Sequence, residues 1–587
     1  VYKRQEPSTM MQHLMTPGAR KIEDIEIIQL LSFGEAISAK ALRSKTFRVK
    51  TFYSGWMAET AISEGRVDFI PSRLVRIPHL IKDGLLNIDA AIIQITPPND
   101  AGYCSLGVAV DVAREAMEKA SITVGEISTY LPYTFGDTFL HLSDFDFLVR
   151  AENPPIFFPR WGVDAVTNQI AYNVAALIDN RSCVSFFNGP FFEALGRNLN
   201  DKKDLGVHSP YFTDALMELM LCGAVTNRYK DTYRGKSLTS YAIGTEHLFE
   251  WLDHNPLIEF QRIDKVIHPS IISRNPMLVT VIPVDKIDLY GRVSLAVGKY
   301  GIFPEPAEVA DLFAGSELSD RGRSIFELSS RDAFGNANIL VSIANLPNQF
   351  TRYESVRTVV TEFGVAQLEG LTVRERAMAL IEIAHPDDRA NMVAAAKKSH
   401  LLYPDQIFLT GSAHLYPSDI SERHTFRKGI NVQFRPIKPS DEEGMRRLFY
   451  RFSDESVYAR YFHSVQAMPH SEMQKYVNVD WSKVMSIVSL VGEEEKKRII
   501  AEARYISIPG TEMAEVVFIV DEAYQSLGIA TYLYLLLVRL ARERGIKMFV
   551  ADVLFSNAAA MKVFKKGDLP LKAKLEGGVY HLSISLI

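Results

Sequence analysis

Ala514-Glu515-Val516-Val517-Phe518-Ile519-Val520-Asp521-Glu522-Ala523-Tyr524-Gln525-Ser526-Leu527-Gly528-Ile529-Ala530 reads as a strand that runs into a glycine-bearing turn and opens a helix. Val516 to Val520 is the β-branched and aromatic run of a buried strand. Asp521 to Tyr524 breaks it. From Ile529 the residues Leu533, Leu536, Leu537 and Leu540 then recur at helical spacing until Gly545 ends the helix. The turn therefore lies at a helix N-terminus, where unpaired N–H groups and the positive end of the helix dipole point outward. Small residues at Gly528 and Ala530 let a diphosphate approach the main chain. An ordinary strand-to-helix turn has the same outline, so the surrounding chain has to decide.

The pattern Gln525-x-x-Gly528-x-Ala530, after a strand ending in Val520, resembles motif A of the GNAT N-acetyltransferases. Ser556-Asn557 followed by Ala560, Met561, Val563 and Phe564 resembles the motif that comes next. Upstream, Phe434-Arg435-Pro436-Ile437-Lys438-Pro439 and the amphipathic stretch Asp441 to Phe452 are similar to the family's first strand and helix. The resemblance implies a GNAT α+β domain over residues 431–587, with a mixed, splayed sheet. It implies that acetyl-CoA lies along Phe518, Ile519 and Val520, its pantetheine bonded to the strand backbone, with Gln525, Leu527, Gly528, Ile529, Ala530 and Thr531 around the diphosphate and Asn557 beyond. Transfer is then direct from thioester to amine, and the incoming ammonium needs a base because only the neutral amine attacks. Glu515 matches the strand glutamate that serves as base in many members, protein-lysine acetyltransferases among them, and Glu502 is the alternative base. A solvated or salt-bridged strand-end carboxylate is the plainer reading of each. Phe564 stands near the usual place of the tyrosine that protonates the leaving thiolate.

The 587 residues exceed a single core and suggest about three or four domains. With 47% apolar and 23% charged residues the composition is that of a soluble globular chain. A net charge of −5 gives no electrostatic reason to bind nucleic acid or an anionic membrane. No apolar run reaches the roughly 18 residues of a membrane span. Cys104, Cys183 and Cys222 are odd in number and widely spaced, which argues against a disulfide framework or a metal site and for a reducing cytoplasm. Glu493 to Arg498 reads as a solvated hairpin loop.

Before residue 425, short apolar runs alternate with helical patterns. Ile25 to Leu31, Ala90 to Ile95, Ile122 to Ile127, Ser240 to Ile243, Met277 to Ile282, Ile339 to Ile343 and Val356 to Val360 read as strands; Val108 to Ala120 and Val373 to Ala384 read as helices. Two α/β domains with parallel sheets follow, over 1–185 and 186–425. Ile95-Thr96-Pro97-Pro98-Asn99-Asp100-Ala101-Gly102-Tyr103-Cys104-Ser105-Leu106-Gly107, Gly136-Asp137-Thr138-Phe139, Leu205-Gly206-Val207-His208, Val359 to Ala366 and Ile383-Ala384-His385-Pro386-Asp387 resemble the acetyl-CoA hydrolase/transferase family of class I CoA-transferases. Glu6-Pro7 is similar to the end of the turn after that family's first strand, so an N-terminally truncated start is expected. Residues 403–435 read as a semi-rigid connection to the GNAT domain.

That family attacks acyl-CoA with a glutamate following a His-Thr pair. Here the stretch is His208-Ser209-Pro210-Tyr211-Phe212-Thr213-Asp214, with Pro210 in the glutamate's place, and the expected glycine-rich loop reads Phe303-Pro304-Glu305-Pro306-Ala307-Glu308. Glu193, Asp214, Glu305 and Glu308 are displaced substitutes that read more simply as surface or capping carboxylates, and His208 reads as structural. The favoured expectation is a GNAT acetyltransferase joined to a CoA-transferase-like body that binds acyl-CoA and is catalytically degenerate. Its partners are acyl-CoA and an amine, protein lysine favoured, with no metal; the resemblance implies a homodimer. An active acetyl-CoA hydrolase or acyl-CoA:carboxylate CoA-transferase using a rearranged acid, and a non-catalytic acyl-CoA sensor, are the alternatives.

Overall fold

The computed structural model describes residues 2–3, 7–15, 24–30, 47–52, 61–62, 64–295, 308–346, 349, 353–409, 416–417, 420–462, 465–492 and 497–587. Glu6, Glu305 with the loop 303–307, and Glu493 to Lys496 of the expected hairpin lie outside them. Contacts divide the chain into two units, residues 1–365 and 366–587. Among the described residues no helix is long and apolar enough to cross a membrane.

The first unit holds two parallel sheets. One runs in the order Phe147–Arg150, Ile122–Ile127, Ala90–Ile95, Tyr2–Lys3, Ile25–Gln29, Phe47–Thr51, Val67–Phe69. The other runs Gly206–Val207, Cys183–Ser185, Leu278–Pro283, Arg323–Glu327, Thr358–Thr361. Their central strands are near-continuous apolar runs, as sheets covered on both faces require. Ala91 to Ile95 and Leu278 to Ile282 are buried throughout. The helix expected near Val108 to Ala120 forms only over Ala113–Lys119. Asp111 has a φ of 37°, and the Val110 N–H donates to the Ser240 carbonyl at 3.0 Å, so the chain is held out of the helix until Val112.

The second unit opens with α1 (Val373–Glu382) and α2 (Pro386–Lys398). Thr372 accepts from the Glu375 N–H while Glu375 accepts from the Thr372 N–H, a reciprocal cap that fixes the start of α1. There follow β1 (Glu422–Thr425), β2 (Asn431–Pro436), α3 (Glu442–Phe449), α4 (Asp454–Tyr461), α5 (His470–Val477), β3 (Val484–Val491), β4 (Arg498–Ser507), β5 (Met513–Val520), α6 (Ile529–Glu543), β6 (Met548–Leu554), α7 (Ala558–Lys565), β7 (Leu571–Glu576) and β8 (Val579–Ser585). They build one mixed sheet in the order β1-β2-β3-β4-β5-β6-β8-β7, antiparallel except for β5 and β6, which run parallel. The described parts of 403–435 are built into this unit rather than strung as a connection. Gln406 is buried, the Tyr416 hydroxyl donates to the Pro436 carbonyl at 3.2 Å with its ring edge-on to Trp481, and β1 joins the sheet.

Cross-strand partners share a face of the sheet, and this assigns the two sides. Phe518 of β5 meets Phe564 of α7, whose ring meets Tyr534 of α6, so α6 and α7 cover that side. Glu502 of β4 pairs with Ile519 of β5 and therefore points to the opposite side, where Tyr476 of α5 reaches it.

Candidate acyl-CoA site

Strand β5 is paired along its whole length with β4, Ala514 to Val520 opposite Ser507 to Ala501. With β6 it pairs only at Met513 to Glu515, opposite Met548 to Val550. The sheet therefore opens after Glu515, and among the described residues the backbone edge of Val516 to Val520 on the β6 side has no strand partner. Such an edge is a template for an extended ligand carrying amides of its own.

At the end of that edge, the strand leads into the turn. Asp521 caps the single helical turn Glu522–Tyr524, accepting from the Ala523 N–H, and is ion-paired to Arg451 at 2.7 Å. Glu522 accepts from the Ser453 N–H, the Ser453 hydroxyl and the Ser456 hydroxyl, at 3.0, 2.6 and 2.7 Å, which ties the turn to the start of α4. Gln525 donates its side-chain amide to the Val520 carbonyl at 3.2 Å. Gly528 takes φ +103°, a backbone that side-chain-bearing residues rarely adopt, and leads directly into α6. Among the described residues the N–H groups of Leu527, Gly528, Ile529, Ala530 and Thr531 have no partner in the protein, while the Tyr532 N–H already donates to the Gly528 carbonyl. Five free donors at the positive end of a 15-residue helix are an arrangement suited to an anion. Gly545, at φ +77°, follows α6 as the sequence predicts. Asn557 spends its side chain capping α7, accepting from the Ala560 N–H at 3.0 Å.

The two candidate bases are placed very differently. Glu515 is exposed at the last paired position before the sheet opens, and no side-chain partner engages it among the described residues. Glu502 is fully buried. It accepts from the Ser486 hydroxyl at 2.6 Å, the Tyr476 hydroxyl at 2.7 Å and Arg504 Nε at 2.6 Å, and the Arg504 guanidinium lies 3.5 Å from the Tyr476 ring centre. Burial alone would raise the Glu502 carboxyl, but the Arg504 and Arg460 guanidiniums and the two hydroxyl donors outweigh it and hold it below the ordinary carboxylate value. A carboxylate so committed has no free lone pair facing solvent and binds a proton poorly, which leaves Glu515 as the solvent-accessible carboxylate of the two.

In the first unit, His208 is fully buried, its Nε2 donating to the Val266 carbonyl and its Nδ1 accepting from Asn275 at 2.8 Å. Burial, reinforced by Lys230, pushes it down to about 3, so it is a neutral core histidine. The Pro210 carbonyl accepts from the Tyr241 N–H at 3.1 Å and the Thr239 hydroxyl at 3.2 Å. Glu193 is ion-paired with Arg160 and with Arg197, and Asp214 accepts from the Thr245 N–H and hydroxyl at 3.1 and 2.5 Å. Both flank a shallow cleft lined by Phe158, Trp161, Phe187 and Phe192. Glu308 differs from these: it is buried, burial raises its carboxyl, and among the described residues its one side-chain partner is the hydroxyl of Tyr211, the residue after Pro210, at 3.3 Å. Sequence reasoning missed Tyr476, whose ring and hydroxyl complete the Glu502 site from another element. It also missed Phe426, whose ring comes within 3.7 Å of where a Cβ at Gly528 would stand.

Known families account for most of the chain. The family model for the acetyl-CoA hydrolase/transferase N-terminal domain matches residues 6–159 and that for its C-terminal domain residues 244–396; the model for the acetyltransferase (GNAT) family matches residues 455–567. The 4-hydroxybutyrate coenzyme A transferase of Clostridium kluyveri is 32% identical over 64% of this chain and 87% of its own length. Acetyltransferase Pat of Mycolicibacterium smegmatis is 31% identical over 24% of this chain and 41% of its own. The crystal structure of RipA from Yersinia pestis shares the fold with a TM-score of 0.61 at 26% identity, covering 68% of this chain and 94% of that one. The chain therefore belongs to the acetyl-CoA hydrolase/transferase family, carries a GNAT acetyltransferase domain after it, and is an acyl-CoA-dependent transferase.

Proposed function

We propose that the second unit transfers acetyl from acetyl-CoA to an amine, and that the first holds acyl-CoA without the covalent step that a glutamate at position 210 would give. The observation that carries this reading is the open edge of β5 beside Glu515, continuous with the free N–H groups of Leu527 to Thr531. Pantetheine amides would add to the edge, and the diphosphate would accept from the turn. The thioester carbonyl then falls near the point where the strands part. Glu515 takes the proton of the ammonium, the neutral amine attacks the carbonyl carbon, and the C–S bond breaks as CoA leaves as thiolate. A CoA thiolate is a good leaving group, so a buried Phe564 in place of a tyrosine does not block the reaction. The resemblance to protein-lysine acetyltransferases favours protein lysine as the amine. Thiol release from acetyl-CoA by the full chain, with and without a lysine-bearing protein, tests the reading: release should need the amine and collapse in Glu515→Gln.

One observation favours a second reading, in which the first unit still exchanges CoA. Glu308 lies against Tyr211, next to the position whose nucleophile is lost. A carboxylate there could attack the acyl-CoA carbonyl and expel CoA thiolate to give a mixed anhydride; the thiolate then attacks the Glu308 carbonyl, which releases the free acid and leaves a glutamyl thioester. Exchange of CoA between acetyl-CoA and a second carboxylic acid, absent in Glu308→Gln and intact in Glu515→Gln, would establish it; no exchange in the wild-type chain would remove it.

A further inference from the structure

The match to the acetyl-CoA hydrolase/transferase C-terminal domain runs to residue 396, so α1 lies inside it. Yet α1 packs within the acetyltransferase unit. Glu382, the last residue of α1, accepts the Ser440 N–H on one oxygen at 2.6 Å and the Ser440 hydroxyl on the other at 2.7 Å. Ser440 belongs to the single turn Pro439–Asp441 that opens α3. The same turn is held from the sheet, where Arg435 of β2 donates to both oxygens of Asp441, each at 2.7 Å.

A second attachment follows 20 residues on. The Tyr403 ring lies 4.7 Å from His470 of α5, and the Gln406 side-chain amide and the Ile407 N–H both donate to the Gln474 side-chain carbonyl. Gln474 and His470 in turn hold the two carboxylate oxygens of Glu442 at the start of α3. Two residues beyond Gln474, Tyr476 donates to Glu502 of β4. Glu502 and Glu515 lie on the same side of the sheet, because Glu502 pairs with Ile519 and Glu515 with Ile506 at the same parity. Helices α3 and α5 therefore wall the side on which Glu515 stands, and both are pinned by residues that precede the GNAT match.

We infer that α1 and residues 403–409 form a brace that sets α3 and α5 over the amine side of the site, and that Glu382 is a positioning residue for the acceptor. This rests on the acetyltransferase reading. The test uses the full chain and two readouts. In Glu382→Gln one of the two accepting oxygens becomes a donor aimed at Ser440. Losing a hydrogen bond to a charged group should raise the KM for the amine about tenfold, with the KM for acetyl-CoA and kcat within about twofold. Deuterium exchange of amides in 439–449 and 470–477 should quicken while that of 525–531 does not. Ser440→Ala, which keeps the N–H donor, should shift the same quantities in the same direction by less. Unchanged exchange in a folded Glu382→Gln chain overturns the brace. So does a rise of both KM values in parallel with a lowered melting temperature, which marks Glu382 as structural only. A wild-type chain that acetylates no amine overturns the acetyltransferase reading instead, and the exchange data separate that failure from the other.

Discussion

Replacing Glu502 by alanine distinguishes a structural carboxylate from a catalytic one. The change removes the acceptor from Ser486, Tyr476 and Arg504 at 2.6 to 2.7 Å, and leaves the Arg504 guanidinium, itself only 6% exposed, without its counter-charge. Removing one partner of a buried ion pair costs about 3–5 kcal/mol, and the two orphaned hydroxyls add about 1 kcal/mol each unless they turn to one another. A unit of this size loses about 2–4 °C of melting temperature per kcal/mol, so its unfolding transition should fall by roughly 10 °C or more in calorimetry of the full chain. The pH dependence has a definite sign. Because the folded value of Glu502 is depressed, its stabilisation is present above the ordinary carboxylate value and is lost as pH falls through the folded one, so the acid limb of stability should flatten in the variant. Glu515→Gln is the contrasting change. An exposed side chain with no partner among the described residues should leave the transition in place within about 1–2 °C, while loss of a general base lowers the transfer rate about 10² to 10⁴-fold. A Glu502→Gln chain that melts normally yet loses a hundredfold in rate, beside a Glu515→Gln chain of ordinary rate, would refute this assignment.

Gly528→Ala has room, since its Cβ would meet only Phe426 at 3.7 Å, but φ +103° strains any side-chain-bearing residue by about 1–2 kcal/mol. Calorimetric titration should show weaker acetyl-CoA binding or a matching loss of stability, and wild-type values for both would show that the turn does not need this backbone. Glu327, at the end of a parallel strand, is 7% exposed, and burial pushes it up to about 8. Its raised value means that stability is full below the ordinary carboxylate value and is lost as pH rises through about 8, by roughly 3–4 kcal/mol at most between pH 5 and 8, so Glu327→Gln should melt alike at pH 5 and higher than wild type at pH 8.

The strand, turn and helix from Met513 to Glu543 were legible in the sequence because each rests on local rules: a β-branched run, a glycine where φ must be positive, and leucines at helical spacing. Which strands adjoin that run is a long-range matter. The parting of β5 from β6 after Glu515 depends on residues 548–550 and entered the reading only through family resemblance. Glu515 and Glu502 look alike as letters, each one carboxylate in an apolar strand, and only the reach of Tyr476 from α5 to Glu502 on the side they share tells them apart. Residues 403–435, rich in breaks, read as a connection; their partners Gln474 and Trp481 lie far along the chain, so no local pattern could reveal the packing. Pro210 in the expected glutamate's place entered the reading through the family resemblance, whereas the approach of Glu308 to Tyr211 spans 97 residues.

Pairing of polar groups, rather than their type, separates the candidate sites from the scaffold. Glu502, Glu193, Asp214 and His208 are chemically capable side chains, and each is engaged by two or more hydrogen bonds or ion pairs within the protein. Buried polar groups must be satisfied, so a fully engaged one is explained by folding alone and needs no substrate. The β6-side backbone edge of Val516 to Ile519, the N–H groups of Leu527 to Thr531 and the Glu515 carboxylate are left without partners among the described residues, and they adjoin one another in sequence and register. A sheet that opens where it could have continued leaves strand donors and acceptors that water or a ligand must satisfy. Acetyl-CoA, which carries amides at one end of its reach and a diphosphate at the other, would on the proposed reading meet the strand edge and the turn in that order. Ligand binding should therefore raise the melting temperature of the second unit with concentration, as binding to the folded state alone requires.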